Sequence, residues 1–269
     1  MYASDSGLIS NQKCAKRRVG MIKHLPVLAI LVVLFCASTS TWAGVKDSDL
    51  INAAGKGNLP RVKALLAAKT NVNAKTDNGV TALIAASENG HEEVVVALLA
   101  AKADVNTAVN DGVTALMAAS QSGFHEVVQT LLEAKANVNA KAGDGNTALI
   151  VASQKGHRQV AQMLLAAGAD VSARRNDGLT ALMQASQEGR WQIVQALLAA
   201  KADVNARLRN GATALMLASQ MGHLRVIHAL LAARADVNAK AGNGATALML
   251  ASKYQHQEVA KLLKEAGAK

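Results

Sequence analysis

The sequence predicts an all-α solenoid of about seven 33-residue helix-turn-helix units joined by hairpin-like finger loops. Three observations predict it. The ten letters NGATALMLAS stand at Asn210–Ser219 and again at Asn243–Ser252, 33 residues apart. The same interval links Gly79, Gly112, Gly145, Gly178, Gly211 and Gly244, each followed by Thr-Ala-Leu with its threonine at 81, 114, 147, 180, 213 or 246. A fixed period of roughly 20–50 residues marks stacked units, none of which can bury its apolar face alone. Finally, 51% of residues are hydrophobic but only 2% aromatic, so Ala, Leu and Val must build the interior, a composition suited to a thin, regular, helical core.

From the N-terminus, residues 1–20 read as a polar extension ahead of a second start, Met21. Residues 21–43 have the three-part layout of a signal peptide. Lys23 precedes the apolar run LPVLAILVVLFCA at 25–37, and the small residues that follow place a cleavage site after Ala43. The run is short for a membrane span, which needs about 20 apolar residues. Cleaved, it leaves a periplasmic or secreted protein with no membrane contact; uncleaved, residues 25–37 anchor the chain in a membrane. Both cysteines, Cys14 and Cys36, fall in this segment, so the remainder forms no internal disulfide and offers no thiolate.

Residues 44–269 form the repeat domain, with units at 46–78, 79–111, 112–144, 145–177, 178–210, 211–243 and 244–269. Within a unit, Thr81 and its equivalents are N-caps of a short first helix. Leu83 and Ala86 face the stack, and Gly90, Gly123, Gly156, Gly189 and Gly222 close the helix where a left-handed residue is needed. The second helix carries apolar residues at i, i+1, i+4 and i+5, as in Val94, Val95, Leu98 and Leu99. The finger turns read DNG at 77–79, NDG at 110–112 and 176–178, GDG at 143–145, RNG at 209–211 and GNG at 242–244, the signature of tight turns with positive φ. The outer units act as caps: Lys46, Asp47, Ser48 and Asp49 replace the consensus in the first, and Lys261, Lys264 and Glu265 finish the last. At ~8–10 Å per helix pair the rod is roughly 60–70 Å long.

The motifs TALIAAS, TALMAAS, TALIVAS, TALMQAS and TALMLAS, with the half-repeat GHEEVVVALLAAKADVN, make the chain resemble the ankyrin repeat family over Lys46–Gly267. The family's proline is alanine in every copy (Ala82, Ala115, Ala148, Ala181, Ala214, Ala247). Its histidine is Ile84, Met117, Ile150, Met183, Met216 or Met249, so an apolar column replaces a polar one. The resemblance implies a non-catalytic, monomeric protein-protein interaction module, with finger tips and the exposed side of the first helices as recognition surface. The residues it implies are Val80, Val113, Leu179, Glu88, Asn89, Lys155, Glu188, Met221 and Tyr254. Similarity to exported bacterial members also implies two other roles, an accessory factor supporting a periplasmic enzyme, as in oxidative-stress defence, or a secreted host-directed effector.

Chemistry is sparse. His91, His157, His223 and His256 recur at one repeat position, which argues for structure over metal ligation, and His125 and His228 are surface residues. Ser87, Ser120, Ser153, Ser186, Ser219 and Ser252 form another column, read as back-bonding to helix carbonyls. No phosphate loop, carboxylate pair or Ser/His/Asp constellation can be assembled, so the chain is read as a non-enzyme without cofactor or metal. The fingers carry a basic line of Lys75, Lys141, Arg174, Arg175, Arg207, Arg209 and Lys240, expected to meet a protein partner or to form a solvated edge. Too few aromatics accompany it for a nucleic-acid reader. Lys69, Lys102, Lys135, Lys201 and Arg234 end the second helices, where cations complement the helix dipole. Trp191, beside Arg190, is either an anchor for a partner or packed between units.

Overall fold

The computed structural model describes residues 47–269. The expected extension, signal segment, Cys14 and Cys36 lie outside the described residues. Among the described residues fourteen helices form seven helix-turn-helix pairs: α1 (47–55) with α2 (Leu59–Ala67), α3 (Ala82–Glu88) with α4 (Glu92–Ala100), and α5 (Ala115–Ser122) with α6 (His125–Glu133). There follow α7 (Ala148–Lys155) with α8 (Arg158–Ala166), α9 (Ala181–Gln187) with α10 (Trp191–Ala199), α11 (Ala214–Met221) with α12 (Leu224–Ala232), and α13 (Ala247–Lys253) with α14 (Gln257–Glu265). First helices stack on first helices and second on second, as an all-α solenoid requires. Among the described residues the fingers contribute one isolated bridge, Ala108–Thr114, and no sheet.

Each first helix begins where the sequence places it. Thr81, Thr114, Thr147, Thr180, Thr213 and Thr246 hold extended backbone, and each side-chain oxygen accepts the N–H of the third residue on, as Ile84 donates to Thr81 at 3.3 Å. Such a cap is worth about 1 kcal/mol. Every first helix but α13, where Gln255 takes the left-handed position with φ of 62°, ends at a glycine for two reasons, which Gly123 illustrates. Its φ is 84°, and a Cβ there would lie 2.4 Å from the His157 ring.

That ring explains the repeated histidines. Nε2 of His91, His157, His223 and His256 lies 2.9–3.0 Å from the carbonyl oxygen of Gly55, Gln121, Gln187 or Gln220, in the unit before. With a carbonyl as acceptor, Nε2–H must be the donor. Phe124 and Arg190 stand in the same column and cover Gly90 and Gly156.

A second fastener runs through the exit loops. The Oδ1 atoms of Asn73, Asn106, Asn139, Asn205 and Asn238 accept the main-chain N–H of Asp104, Asn137, Asp170, Asp236 and Lys269, 31 residues on, at 2.7–2.9 Å. Ser172 occupies the remaining position. Its shorter side chain makes no such bond to Asp203, so the ladder has one missing rung. A third series joins the finger tips: main-chain N–H groups of Asn110, Gly143, Asn176, Arg209 and Gly242 donate to the carbonyls of Asn78, Asp111, Asp144, Asp177 and Asn210 at 2.6–3.1 Å.

The core follows the pattern. Leu83, Leu116, Leu149, Leu182 and Leu215 are at most 2% exposed, and the Ile/Met column is buried through Met216. Met249, in the last unit, is 57% exposed because no further first helix covers it. Two expectations need correction. The hydroxyls of Ser87, Ser120, Ser153, Ser186 and Ser219 are buried without a hydrogen-bond partner, so they do not back-bond to the helix carbonyls. Ser252 is exposed. The cations ending the second helices do more than face a dipole. Lys69, Lys102, Lys135, Lys201 and Arg234 hold φ of 58–66°, the left-handed position of a Schellman motif in which Lys69 N–H donates to Leu66 and Thr70 N–H to Leu65.

Two stability predictions follow from these junctions. Ser172→Asn supplies the missing rung and is expected to raise stability to urea by about 1 kcal/mol, the net value of a typical hydrogen bond. Ser153→Ala removes an unpartnered buried hydroxyl and is expected to stabilise by about 1 kcal/mol, so a lower unfolding midpoint would show that the hydroxyl has a partner in solution.

Candidate binding surface

A recognition surface on this scaffold must come from positions that the stack leaves free. The finger tips and the exposed ends of the first helices supply them, and the structure divides the expected residues into three groups.

The first group is free. Lys75, Lys141, Arg209 and Lys240 are exposed, and their side chains make no hydrogen bond or ion pair among the described residues. Met221 and Tyr254, at equivalent positions one unit apart, are 49% and 45% exposed, and Lys253 Nζ stands 5.6 Å from the Tyr254 ring centroid. Glu88 and Lys155 are exposed as well; Asn89 is exposed but its side-chain amide donates to the Ala85 carbonyl at 2.8 Å.

The second group is occupied by the fold. Arg174 Nη1 donates to the carbonyls of Gly178 (3.3 Å) and Arg207 (3.0 Å), clipping one finger to the next. Arg207 repeats the clip on Gly211 and Lys240. Arg175 is half-buried and donates to Asp177, with Nε 3.0 Å from Oδ1. That hydrogen bond, with the Leu179 N–H and the nearby positive charge, lowers the Asp177 carboxyl to about 2, against the opposing effect of desolvation. The Arg175 guanidinium is correspondingly held above its ordinary value. The expected unbroken basic line is therefore shorter: Arg174, Arg175 and Arg207 are tied down because a guanidinium can bridge two carbonyls or grip a carboxylate where an ammonium does so less well.

The third group is buried. Leu179 is 3% exposed and belongs to the core, and Val80 and Val113 are half-buried against it. These positions immediately precede the capping threonine, where the chain turns back into the stack, so they face the core and not a partner. Glu188 is half-buried and accepts from Gln184 at 3.4 Å.

Between the last two fingers and α11 and α13 lies a pocket of about 330 Å³, lined by Ala212, Met216, Gln220, Ala241, Ala245 and Leu250 among others. It has apolar walls and main-chain edges but no ionisable side chain. Sequence reasoning missed the exposure of Met249 and the place of Leu250 in this pocket. The signal available for Met249 was its place in the final unit, where a column buried elsewhere has nothing above it.

Among the described residues no group of three His, Cys, Asp or Glu converges as a metal site. His125 Nε2 lies 2.8 Å from Glu126 Oε1, a pair on the surface. No helix of these residues is long and apolar enough to cross a membrane. The arrangement can hold a surface by non-covalent contact; it assembles no nucleophile and base.

A family model described as ankyrin repeats, in three copies, matches residues 50–142, 139–207 and 182–269. Among solved structures, the human ASB11 ankyrin repeat domain is similar: 30% identical, with the match covering 80% of this chain and 96% of that one at a TM-score of 0.73. No curated protein sequence matches the chain. Stacked helix pairs, capping threonines, finger ladder and family match agree: the chain belongs to the ankyrin repeat family.

Proposed function

We propose that this non-enzymatic solenoid is an exported scaffold that captures a protein partner on its finger and first-helix face, chiefly through its last three units. The observation that carries this reading is the juxtaposition of two large exposed apolar side chains, Met221 and Tyr254, with the pocket beside α11 and α13 and the unpaired cations Arg209 and Lys240. An apolar centre edged by charge is the usual layout of a protein-binding patch, in which aromatic and methionine side chains are enriched. The equivalent positions in earlier units, Lys56, Asn89, Ser122, Lys155 and Glu188, are polar, so the patch is local to one end.

Export rests on the signal-like segment 21–43 and places the scaffold in a periplasm or outside the cell, acting as a monomer. Neither the accessory-enzyme role nor the effector role gains support from a particular contact.

Two measurements check the proposal. Affinity capture with the chain carrying Met221→Glu and Tyr254→Ala is expected to lose a partner that the unaltered chain retains, with affinity down by about 2 kcal/mol or more and an unchanged melting curve. Equal capture by both forms would place the binding face elsewhere. N-terminal sequencing of protein recovered outside the cytoplasm is expected to begin at Gly44; retention of residues 25–37 would make the scaffold membrane-anchored.

A further inference from the structure

From α4 onward the first turns of the second helices change character along the solenoid, with acidic turns flanking a basic middle stretch. In α4, α6 and α14 they carry Glu92 with Glu93, Glu126, and Glu258. Acid there complements the positive end of the helix dipole. In α8, α10 and α12 no acid is present. Instead Arg158 opens α8, Arg190 caps α10 and Arg225 follows the first residue of α12. A cation at these positions opposes the dipole and weakens the helix, so helix stability gives no reason for three in succession.

Nor does ion pairing give one. All three arginines are exposed, and none forms a salt bridge among the described residues. They surround Trp191, the one tryptophan within 47–269, which opens α10 and is only partly covered. The Arg225 guanidinium carbon lies 5.5 Å from the Trp191 ring centroid, so the ring holds it in place. Arg190 lies over Gly156, with Nε 2.8 Å from where a Cβ would stand. Two shallow pockets meet at Trp191. One, of about 190 Å³, is lined by Arg158, Arg190 and Trp191; the other, of about 280 Å³, by Arg158, Trp191, Gln162, Gln192 and Gln195. No carboxylate lines either.

We propose that Arg158, Arg190, Trp191 and Arg225 form a second docking surface, distinct from the finger face, for an extended acidic segment of a protein partner. Charge complementarity selects the occupant, because each guanidinium can grip a carboxylate with two parallel hydrogen bonds. The arginines come from three successive units, whose helices stack at ~8–10 Å. A peptide extended in the polyproline II form rises ~3.1 Å per residue with three residues per turn, so carboxylates three residues apart fall on one face at about that spacing. The Trp191 ring offers an apolar plate for a residue between them, and the amides of Gln162, Gln192 and Gln195 can pair with the peptide main chain. A nucleic-acid strand fits less well, since one aromatic ring provides no succession of stacking platforms.

The test titrates the full chain with a fluorescein-labelled peptide, Ala-Glu-Leu-Ala-Glu-Leu-Ala-Glu-Ala, at low ionic strength. Anisotropy is expected to saturate while tryptophan emission shifts, and a Trp191→Phe chain, which retains Trp42, should lose that shift. Arg158→Glu and Arg225→Glu are each expected to weaken binding about fivefold, and together roughly twentyfold, with unchanged circular-dichroism melts. Arg209→Glu and the Met221→Glu, Tyr254→Ala chain should leave peptide affinity unchanged, which separates this surface from the finger face. Absence of saturable binding would overturn the proposal. So would loss of binding on Arg209→Glu, or equally tight binding of an oligo-dT of matching charge that follows the same arginines.

Discussion

Everything in this molecule depends on the contact between one unit and the next. A pair of short helices has too little interior to bury its own leucines, and Leu83 or Leu149 is out of water only because neighbouring first helices close over it. Hydrophobic contact alone would allow units to slide. The polar series between units fixes their register: histidine to carbonyl, asparagine to main-chain N–H, finger tip to finger tip. Each lies on the rim of the apolar seam and repeats at nearly the same length along the rod. The fold is thus a linear array of near-identical junctions, and its weak points are the junctions that differ.

Two recurrent features of the units cost stability. Lysine or arginine at the left-handed end of a second helix costs about 1 kcal/mol relative to glycine through its Cβ, a loss partly offset by the cation's attraction to the carbonyl end of the helix. Gly168 and Gly267 show the unstrained alternative in the same chain. The serine column differs, because a hydroxyl sealed in an apolar seam without a partner gains nothing from its surroundings. That four units tolerate both implies that the polar fasteners leave the array a margin of stability.

The repeat was legible because its letters answer local demands. Threonine caps, glycines at positive φ and the i, i+1, i+4, i+5 stripe each have one physical solution, and the structure places them where the spacing predicts. The surface was less legible for the same reason. Whether an arginine is free depends on which carbonyls come within its reach, so Arg174 and Arg209, on adjacent fingers, both read as basic finger residues in a sequence yet only the first is tied down. The family resemblance implies Leu179 as a recognition residue, but the chain has already turned inward there. Relations across 31 to 36 residues, such as Asn139 to Asp170, are invisible to local propensity and emerge only when units stack.

A solenoid separates the tasks of holding shape and meeting a partner more completely than a globular domain does. Residues that must be identical from unit to unit serve the junctions, so a position is free to specialise only if no junction uses it. That constraint gives departures from the repeat their meaning. Met221 and Tyr254 stand where other units place polar residues; Arg225 stands at the position of Glu93, Glu126, Gln159, Gln192 and Glu258, and Arg158 at that of Glu92 and His125. Both departures fall in units four to seven, on different sides of the same helices: one at the ends of the first helices, the other at the starts of the second. A first helix and the second helix that follows it are joined by a two- or three-residue turn through a left-handed residue, as at Gly222 between Met221 and Leu224. The rigidity of that turn fixes the separation of the two surfaces, so a partner reaching both would meet a spacing set by the scaffold itself.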